Sequence, residues 1–588
     1  MTDNNSHAGT GAMDDSKIII GLDFGTTYSG AVWAHSKAPD DLNPVKDWPA
    51  SRRGNRCVSS LKIASQIRYL DNGEFEWGAQ VAEDADPREV HKLFKLLLVE
   101  GNLFENAATT VGGVSPPADV DQTITDYMTG IFEHVLQTIR VRIGCDMAGS
   151  SPIHIVLTVP AIWSDLAKQR TLQAFGRVPK MAETSTTLLS EPEAAAISAL
   201  RELDRGSLRD GDTFVVVDAG GGTVDLITYT VDSLFPILQV NEATVGTGDL
   251  CGAALVNLRF EQFLTAKLQD EPDWDTEVLR EALDSFEIRV KRSFSLSALA
   301  KNWTYNIPVP GLARNVEAGV LRNGRYVLKS SDVHMFFERY ILRIIQLIKE
   351  QIAMCHNPIR TILLVGGFGQ SMYVRERVER AIGEDKSIQG PVEILQPPNA
   401  WLAVARGAAM KGIAEAMPED YDIPVVMSRT ARKHYGYEVG VRFDSNVHSP
   451  LISRKYWHGL FGDWYVRAMV WFIKRGERVS EDVPFTKSYF YHWPVGTQRP
   501  QKYPLTIYAD EISSKAPIAR SGNVKMMTRL TADLSPIPEN QLDKRLGADG
   551  RMHYEVEFDV EAIYHSASTQ YTLLHKGKRY DTITAEYV

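Results

Sequence analysis

Residues 18–33, IIIGLDFGTTYSGAVW, decide the fold that the sequence predicts. An apolar arm leads to Asp23, a turn rich in Gly and Thr follows, and a second apolar arm completes the pattern of a β-hairpin. Residues 214–230, FVVVDAGGGTVDLITYT, repeat this arrangement around Asp218. The distant repeat predicts two similar α/β lobes, each of which contributes one hairpin to a shared cleft.

Strand and helix patterns alternate around these hairpins. Apolar residues recur at helical spacing over residues 121–143, and a buried strand is predicted at 153–159. A helix begins at Glu191, and residues 361–369, TILLVGGFG, read as a strand that enters a double-glycine turn. This alternation is typical of an α/β fold.

After about Met417 the pattern changes to strict alternation of apolar and polar residues. The stretches 435–443 and 554–561 each place large apolar side chains on one side of a strand and Gly or charged residues on the other. Repeated strands of this kind predict a small antiparallel β-domain with one buried and one solvated face.

Composition restricts the class of protein. The 588 residues exceed what one hydrophobic core can hold, and the 44% hydrophobic and 23% charged residues are ordinary for a folded protein. A formal net charge of −10 argues against nucleic-acid binding through phosphate neutralisation. We interpret the two densest basic segments, Ser51–Arg56 and Ser428–His434, as solvated loops.

The cysteines and the hydropathy pattern indicate a compartment. Four widely spaced cysteines without a metal-binding pattern favour a reduced intracellular setting. Residues 1–16 are polar and lack the apolar segment of a signal peptide, and no apolar stretch is long enough to cross a bilayer. We therefore expect a disordered N-terminal tail and residence in the cytoplasm, with the nucleus as the alternative and no membrane partner.

Glycine turns after buried strands can bind anions, because glycine tolerates the backbone angles that point successive N–H groups at one ligand. Two such turns facing each other would hold a polyphosphate. Asp23, Asp218 and Asp225 supply carboxylate oxygens that could hold Mg²⁺ through its waters, and Thr26, Thr27 and Thr223 add hydroxyl groups. A Walker loop and a dinucleotide-binding GxGxxG motif are both absent from the sequence.

Five motifs occur in the order found in the seventy-kilodalton heat-shock chaperones. These are DFGTTYSG (23–30), TVPAIW (158–163), SEPEAAA (190–196), DAGGGTVD (218–225) and LLVGG (363–367). Residues 18–412 resemble a divergent branch of that family, which belongs to the superfamily of actin, hexokinase and sugar kinases. The resemblance implies a two-lobed actin-like (ribonuclease H-like) ATPase domain followed by a small antiparallel β-domain.

The resemblance also implies domain bounds. They are a tail at 1–16, a nucleotide-binding domain at 17–415, a linker at 416–430 and a β-rich domain for a client or partner at 431–588. Within the nucleotide-binding domain, one lobe covers about 17–205 with part of 390–415, and the other covers about 206–390.

ATP or ADP with Mg²⁺ is the cofactor that the resemblance implies, and the two hairpins receive its phosphates. Asp218 is expected near both the metal and the attacking water, and Glu191 would position that water. A lysine completes such a site, for which Lys95 is the best match and Lys92 the alternative. The phosphate-binding residues carried over from the family are Asp23, Gly25, Thr26, Thr27, Tyr28, Asp218, Gly220, Gly221, Gly222, Thr223 and Asp225.

The nucleoside side departs from the family. Gly366 and Gly367 are kept, but Gln370 stands where the family has an arginine that stacks on adenine. In FEIRVKRSF (286–294), Lys291 and Arg292 are in place, whereas Glu287 is one residue out of step with the family's glutamate. Phe368 could stack on the base, although we favour a place in the core.

Two further departures concern the chaperone role. The linker stretch PEDYDIPVV (418–426) lacks the family's leucines, and we expect no helical lid because the sequence closes in alternating strand pattern. The leading hypothesis is a chaperone-like protein that slowly hydrolyses MgATP to regulate a polypeptide client, with co-chaperones as further partners. The alternatives are a nucleotide-binding scaffold with little or no hydrolysis and, last, a sugar or metabolite kinase.

Overall fold

A computed structural model describes most of the chain. It covers residues 16–50, 57–82, 85–99, 117, 119–181, 184–203, 208–322, 324–417, 422–480, 483–580 and 583–587. The basic segment Ser51–Arg56 and all but the last residue of the N-terminal tail lie outside the described residues. No helix in the described ranges is long and apolar enough to cross a membrane.

The first hairpin lies in the middle of a six-stranded sheet, the first sheet. Its strand Ile18–Asp23 is antiparallel to Tyr28–His35 and parallel to Ile153–Val159. Nearly all side chains of these strands are buried, because helices cover the sheet and leave little polar alternation. The strand order is Thr184–Ser190, Ile153–Val159, Ile18–Asp23, Tyr28–His35 and Ala38–Pro44, with Ile63–Ala64 beside Tyr28–His35.

The second hairpin occupies the same place in an eight-stranded sheet, the second sheet. Thr213–Ala219 is antiparallel to Val224–Ser233 and parallel to Ile359–Val365. The strand order is Glu393–Leu395, Ile359–Val365, Thr213–Ala219, Val224–Ser233, Gln239–Glu242, Val425–Thr430 and Arg478–Val479, with Thr247–Asp249 beside Val224–Ser233. The equivalent pairing in both sheets confirms the duplicated α/β architecture that the two hairpins predict.

Two alanine-rich helices join the sheets. Glu191–Glu202 and Ala403–Ala416 contribute to one apolar cluster that also contains residues of the second sheet. A Cβ atom on Gly407 would lie 1.7 Å from the Ala194 carbonyl oxygen, so only glycine allows this helix contact. The same cluster includes Val156 and Leu189 of the first sheet, so the two helices connect the sheets.

The remaining helices surround the sheets, and the predicted helices are found at their expected places. The α-helices are Val120–Ile143, Cys145–Ser150, Asp165–Gly176, Glu191–Glu202, Ala253–Leu268, Thr276–Ser285, Leu296–Ala300, Ser330–Met354, Gly366–Gly369, Met372–Gly383, Ala403–Ala416 and Ser445–His448. The short 3₁₀ turns are Gly78–Gln80, Pro87–Glu89, Phe94–Leu98, Ser449–Arg454 and Glu539–Gln541, and Phe286–Lys291 is a π-helix. Short strands outside the main sheets are Trp48–Pro49, Cys57–Val58, Gln66–Tyr69, Phe75–Trp77, Val90–Lys92, Thr304–Pro308, Val320–Arg322 and Arg325–Lys329.

Two antiparallel sheets form the β-rich part, residues 434–587, and share one apolar core. One sheet of the β-rich part has the strand order Tyr456–His458, Asp463–Ile473, His434–Arg442, Lys502–Asp510, Lys525–Asp533 and Ile583–Tyr587. The second has the order Phe485–Pro494, Met552–Tyr564, Thr569–His575 and Lys578–Tyr580, with Asp543–Leu546 beside Met552–Tyr564. The alternation predicted for 554–561 holds for Val556, Phe558 and Val560, which lie in the core.

The interpretation of Ser428–His434 as a solvated loop is wrong. Arg429 lies on the strand Val425–Thr430, and its Nε atom is 3.0 Å from Oε2 of Glu193, with both side chains buried. Arg432 donates to the carbonyl oxygen of Ala161. Charge alone suggested solvent exposure, whereas a buried carboxylate on a distant helix pairs with Arg429 and a loop carbonyl accepts from Arg432.

Candidate functional site

The two hairpin turns touch across the cleft. A Cβ atom on Gly221 would lie 2.1 Å from Thr27 Oγ1, and one on Gly222 would lie 2.7 Å from Thr26 Oγ1. Neither glycine could carry a side chain without displacing the threonine side chain of the opposite turn. The absence of side chains on these two glycines thus allows the close approach of the hairpins.

A cavity of about 570 Å³ opens between these turns. Seventeen residues predicted for the site line it, while Lys95 and Asp225 do not. The lining residues are Asp23, Gly25, Thr26, Thr27, Tyr28, Glu191, Asp218, Gly220, Gly221, Gly222, Thr223, Glu287, Lys291, Arg292, Gly366, Gly367 and Gln370. The sequence-predicted residues from both lobes therefore meet in one cavity.

Lys95 lies behind the wall of the cavity. It belongs to the 3₁₀ turn Phe94–Leu98 and is 1% exposed. Its Nζ atom donates to the carbonyl oxygen of Phe24 and lies 2.7 Å from Glu191 Oε1. Lys92, the alternative, lines the cavity itself. The structure thus separates the two lysines, one paired with the predicted water-positioning carboxylate and the other facing the open space.

Buried carboxyl groups crowd the phosphate end of the cavity. Burial raises the pKa of Glu191 to about 7, although Lys95 opposes this shift. Burial, reinforced by the neighbouring Glu191, Asp225 and Asp23, raises the pKa of Asp218 well above its usual range. Ionising all of these carboxyl groups at once costs free energy unless a cation lies nearby.

The carboxyl groups fit a hydrated magnesium ion. Burial raises the pKa of Asp225, whose Oδ1 accepts from the Ile162 N–H at 3.1 Å, while its buried Oδ2 has no hydrogen-bond partner. Among the described residues, no cluster of three His, Cys, Asp or Glu side chains converges closely enough to ligate a metal. Mg²⁺ typically keeps several waters and needs only one or two carboxylates, and Asp23 and Asp218 line the cavity.

Glu287 lies on the π-helix Phe286–Lys291. In Phe286–Lys291 the backbone accommodates one extra residue in a turn, and Glu287 Oε2 accepts from Lys291 Nζ. Asn257 joins them, with its Nδ2 at 2.7 Å from Glu287 Oε2 and its Oδ1 at 2.9 Å from Lys291 Nζ. The residue that is out of step in sequence thus lies in the cavity wall together with Lys291.

An aromatic residue that the sequence analysis did not select stands near Arg292. The Arg292 guanidinium carbon lies 5.5 Å from the Trp401 ring centroid, and the Tyr28 ring is 6.0 Å from the same indole. All three residues line the cavity. The sequence signal was only an aromatic residue after a Pro-rich turn, which more often marks a core position.

The double-glycine turn forms another part of the wall. Gly366 has φ +79°, and a Cβ atom on it would lie 2.5 Å from Asp218 Oδ1. Phe368 is 2% exposed and packs in the core, with its ring 6.0 Å from that of Phe337, and it also lines the cavity. Gln370 lines the cavity.

Lys62 was also missed. Its Nζ atom lies 2.6 Å from Asp23 Oδ2, and it lines the cavity. In the sequence it is a single lysine before the short strand Ile63–Ala64, which carries no signal of a site. Only the pairing of that strand with the first hairpin brings it beside Asp23.

The β-rich part contacts the segment that leads into Glu191. Ser566, in the loop after Met552–Tyr564, accepts from the backbone N–H of Ser190 at 3.0 Å, and the two side-chain oxygens are 2.9 Å apart. Ser190 directly precedes Glu191. The neighbouring Ala567 is buried in the apolar core of the first sheet. The β-rich part is therefore anchored one residue away from a predicted catalytic carboxylate.

Two α/β sheets with facing glycine hairpins over one cavity define the class of two-lobed actin-like folds, here followed by a β-rich part. Within that class, the chain belongs to the Hsp70 family, because the family described as Hsp70 protein matches residues 119–423, just over half of the chain. This result confirms the resemblance carried by the five motifs.

Curated relatives agree with this assignment at modest identity. Human heat shock 70 kDa protein 12B is 24% identical over 524 residues, which cover 74% of this chain and 73% of the relative. Mitochondrial-type heat shock protein 70 of Encephalitozoon hellem is 27% identical over 412 residues, covering 68% of this chain and 63% of the relative. A chaperone protein HscA homolog of Burkholderia mallei is 30% identical over 268 residues, covering 42% and 37% respectively.

Proposed function

We propose that the chain binds MgATP between the two hairpins, hydrolyses it slowly, and uses this cycle to regulate binding of a polypeptide client by the β-rich part. The observation that carries the proposal is the close approach of Gly221 to Thr27, with both glycine turns lining one cavity of about 570 Å³. Glycine turns on opposite sides of one cavity can direct backbone N–H groups at a single polyphosphate.

The position of each carboxyl group suggests its role, either in holding the metal or in orienting water. The metal, when bound, neutralises charge on the phosphates. Asp23 and Asp218, which line the phosphate end of the cavity, would hold it largely through water. Asp225, the strand partner of Asp218, does not line the cavity and would act through a further water. Glu191 and Asp218 face the same space and would orient the attacking water. Phosphoryl transfer asks the protein mainly for such positioning and electrostatic stabilisation.

Glu191 is suited to accept a proton near neutrality. Its pKa of about 7 leaves a substantial charged fraction at physiological pH, and Lys95 fixes one of its oxygens at 2.7 Å. A base whose pKa lies near the working pH combines availability with proton affinity. Burial behind the hairpin keeps both side chains in a defined orientation.

The contact of Ser566 with Ser190 supports coupling between client and nucleotide. A displacement of this loop would be transmitted to the residue that precedes Glu191. The client would be a polypeptide segment, co-chaperones are further partners in this proposal, and the cytoplasm is the proposed compartment.

A nucleotide-binding scaffold with little hydrolysis is the second candidate. The Lys62 ammonium group pairs with Oδ2 of Asp23, one of the carboxylates proposed to hold the metal. Gln370 stands where the resemblance implies an arginine that stacks on the base. The pairing of Lys62 with Asp23 is unfavourable for fast metal-assisted turnover, whereas Gln370 bears on the contact with the base.

A single-turnover assay with labelled ATP and the full chain separates the two candidates. We expect slow release of phosphate that is lost in Asp218→Ala and reduced in Glu191→Gln. Binding without phosphate release in the parent chain would favour the scaffold, and no binding would refute both candidates. Capture of a fluorescent unfolded peptide, measured with and without ATP, tests the client; a peptide affinity that ATP leaves unchanged would contradict its regulation by nucleotide.

A further inference from the structure

Lys62 places a positive charge inside the phosphate end of the cavity. Its side chain is 11% exposed and that of Asp23 is 5% exposed, with 2.6 Å between Nζ and Oδ2. The lysine is therefore a largely enclosed partner of Asp23, in contrast to the exposed surface ion pairs of long side chains that contribute little.

The first hairpin leaves space for the side chain of this lysine. A Cβ atom on Gly30 would lie 3.0 Å from Lys62 Cγ, so the missing side chain leaves room for the stem of the lysine. Backbone pairing of Ser29 with Ile63 and of Tyr28 with Ala64 fixes the segment that carries it. Upstream, Trp48 Nε1 donates to the Ser60 carbonyl oxygen at 2.9 Å. The position of the ammonium group thus follows from the fold of the hairpin.

This ammonium group competes with a metal for the same oxygen. Asp23 Oδ2 can accept from Lys62 or face the water shell of a cation, and the ammonium is itself a phosphate-binding group. Three of the lining carboxyl groups, Asp23, Glu191 and Asp218, would repel a triphosphate when charged. A fixed cation at this end offsets part of that repulsion without any metal.

We propose that Lys62 binds the terminal phosphates of the nucleotide directly and supplies part of the charge neutralisation otherwise provided by magnesium. This inference rests on the proposed nucleotide site. Its consequence is that the chain retains much of its affinity for a nucleoside triphosphate when magnesium is absent.

The test is equilibrium binding of fluorescent ATP to the full chain, in Mg²⁺ and in EDTA. Chelation should weaken binding by about tenfold or less in the parent chain and by about a hundredfold or more in Lys62→Met, because a hydrogen bond between charged groups is lost. Lys62→Arg keeps the charge and should stay closer to the parent. Lys267→Met, an exposed lysine on the helix Ala253–Leu268, is the matched control and should behave like the parent.

Binding of AMP tests whether the effect of Lys62→Met is confined to the terminal phosphates and whether the variant is folded. Because AMP has no terminal phosphates, Lys62→Met should bind it as the parent does. Equal dependence on magnesium in the parent and Lys62→Met, or equal weakening of AMP and ATP, would overturn the role of Lys62. Failure of the parent to bind any nucleotide would instead remove the proposed function and this inference with it.

Discussion

Lys95 and Glu191 form a buried ion pair, with 2.7 Å between Nζ and Oε1, although they are 96 positions apart in sequence. Lys95 lies in the 3₁₀ turn Phe94–Leu98 of the first lobe, and Glu191 is the first residue of the helix Glu191–Glu202. The pair therefore connects the backbone behind the first hairpin to the carboxylate proposed to orient water.

Replacement of Lys95 by Met should raise the pKa of Glu191 further above 7, because the lysine is the main group that lowers it. The pH at which single-turnover hydrolysis reaches half of its maximum should rise accordingly. Stability should fall by about 3–5 kcal/mol, since a buried carboxylate loses its partner. Chemical denaturation and the pH–rate profile measure both effects.

The double variant Lys95→Met with Glu191→Gln is the control for that experiment. It removes both charges, so its loss of stability should be clearly smaller than that of Lys95→Met alone. Equal losses in the two variants would mean that the pair does not stabilise the fold in the way described.

Asp218→Asn should stabilise the ligand-free chain, and the gain should grow with pH. The pKa of Asp218 is raised in the folded state, so the unfolded chain binds fewer protons above about pH 4 and the parent loses stability as pH rises. The asparagine removes this loss. Thermal unfolding at about pH 4 and about pH 8 measures the difference, with the exposed Asp270→Asn as control. A gain in Tm that is independent of pH would contradict the raised pKa.

Gly221→Ala should separate the hairpins, because its Cβ would lie 2.1 Å from Thr27 Oγ1. We expect nucleotide affinity to fall by about tenfold to a hundredfold, the range that follows from overpacking. Gly383→Ala is a matched control, since no atom lies within 4 Å of its Cβ position. Titration with fluorescent ATP compares the two variants, and equal affinities would show that the approach of the turns is unimportant for binding.

Arg429→Met should destabilise the fold by about 3–5 kcal/mol, because Glu193 would remain buried without its bidentate partner. The pair connects a strand of the second sheet to the helix Glu191–Glu202, so its loss should also loosen the cleft. Urea denaturation measures the stability. The double variant with Glu193→Gln should recover part of it, and no recovery would contradict a direct ion pair.

The motifs with local signatures were predictable from the sequence. The two hairpins are visible because apolar arms flank Gly-rich turns, and their repetition indicated paired lobes with a shared cleft. Glycines 25, 221 and 366 lie in that cavity because each turn follows a buried strand, as the pattern suggested.

Residues whose partners are distant in sequence were not predictable. Lys62 and Trp401 enter the cavity only through tertiary pairing, and Arg429 appeared solvated because its partner Glu193 is 236 positions away. The offset of Glu287 was visible, but the π-helix on which it lies is a property of the folded backbone. Charge and spacing report on local structure, whereas these contacts depend on the tertiary fold.

A crystal structure of the full chain with Mg²⁺ and a non-hydrolysable ATP analogue tests the central claim most directly. We predict that the phosphates lie between the two turns, with backbone N–H groups near Gly25 and near Gly221 both within hydrogen-bonding distance of phosphate oxygens, about 2.7–3.2 Å. An analogue bound by only one hairpin, or bound outside this cavity, would contradict the account.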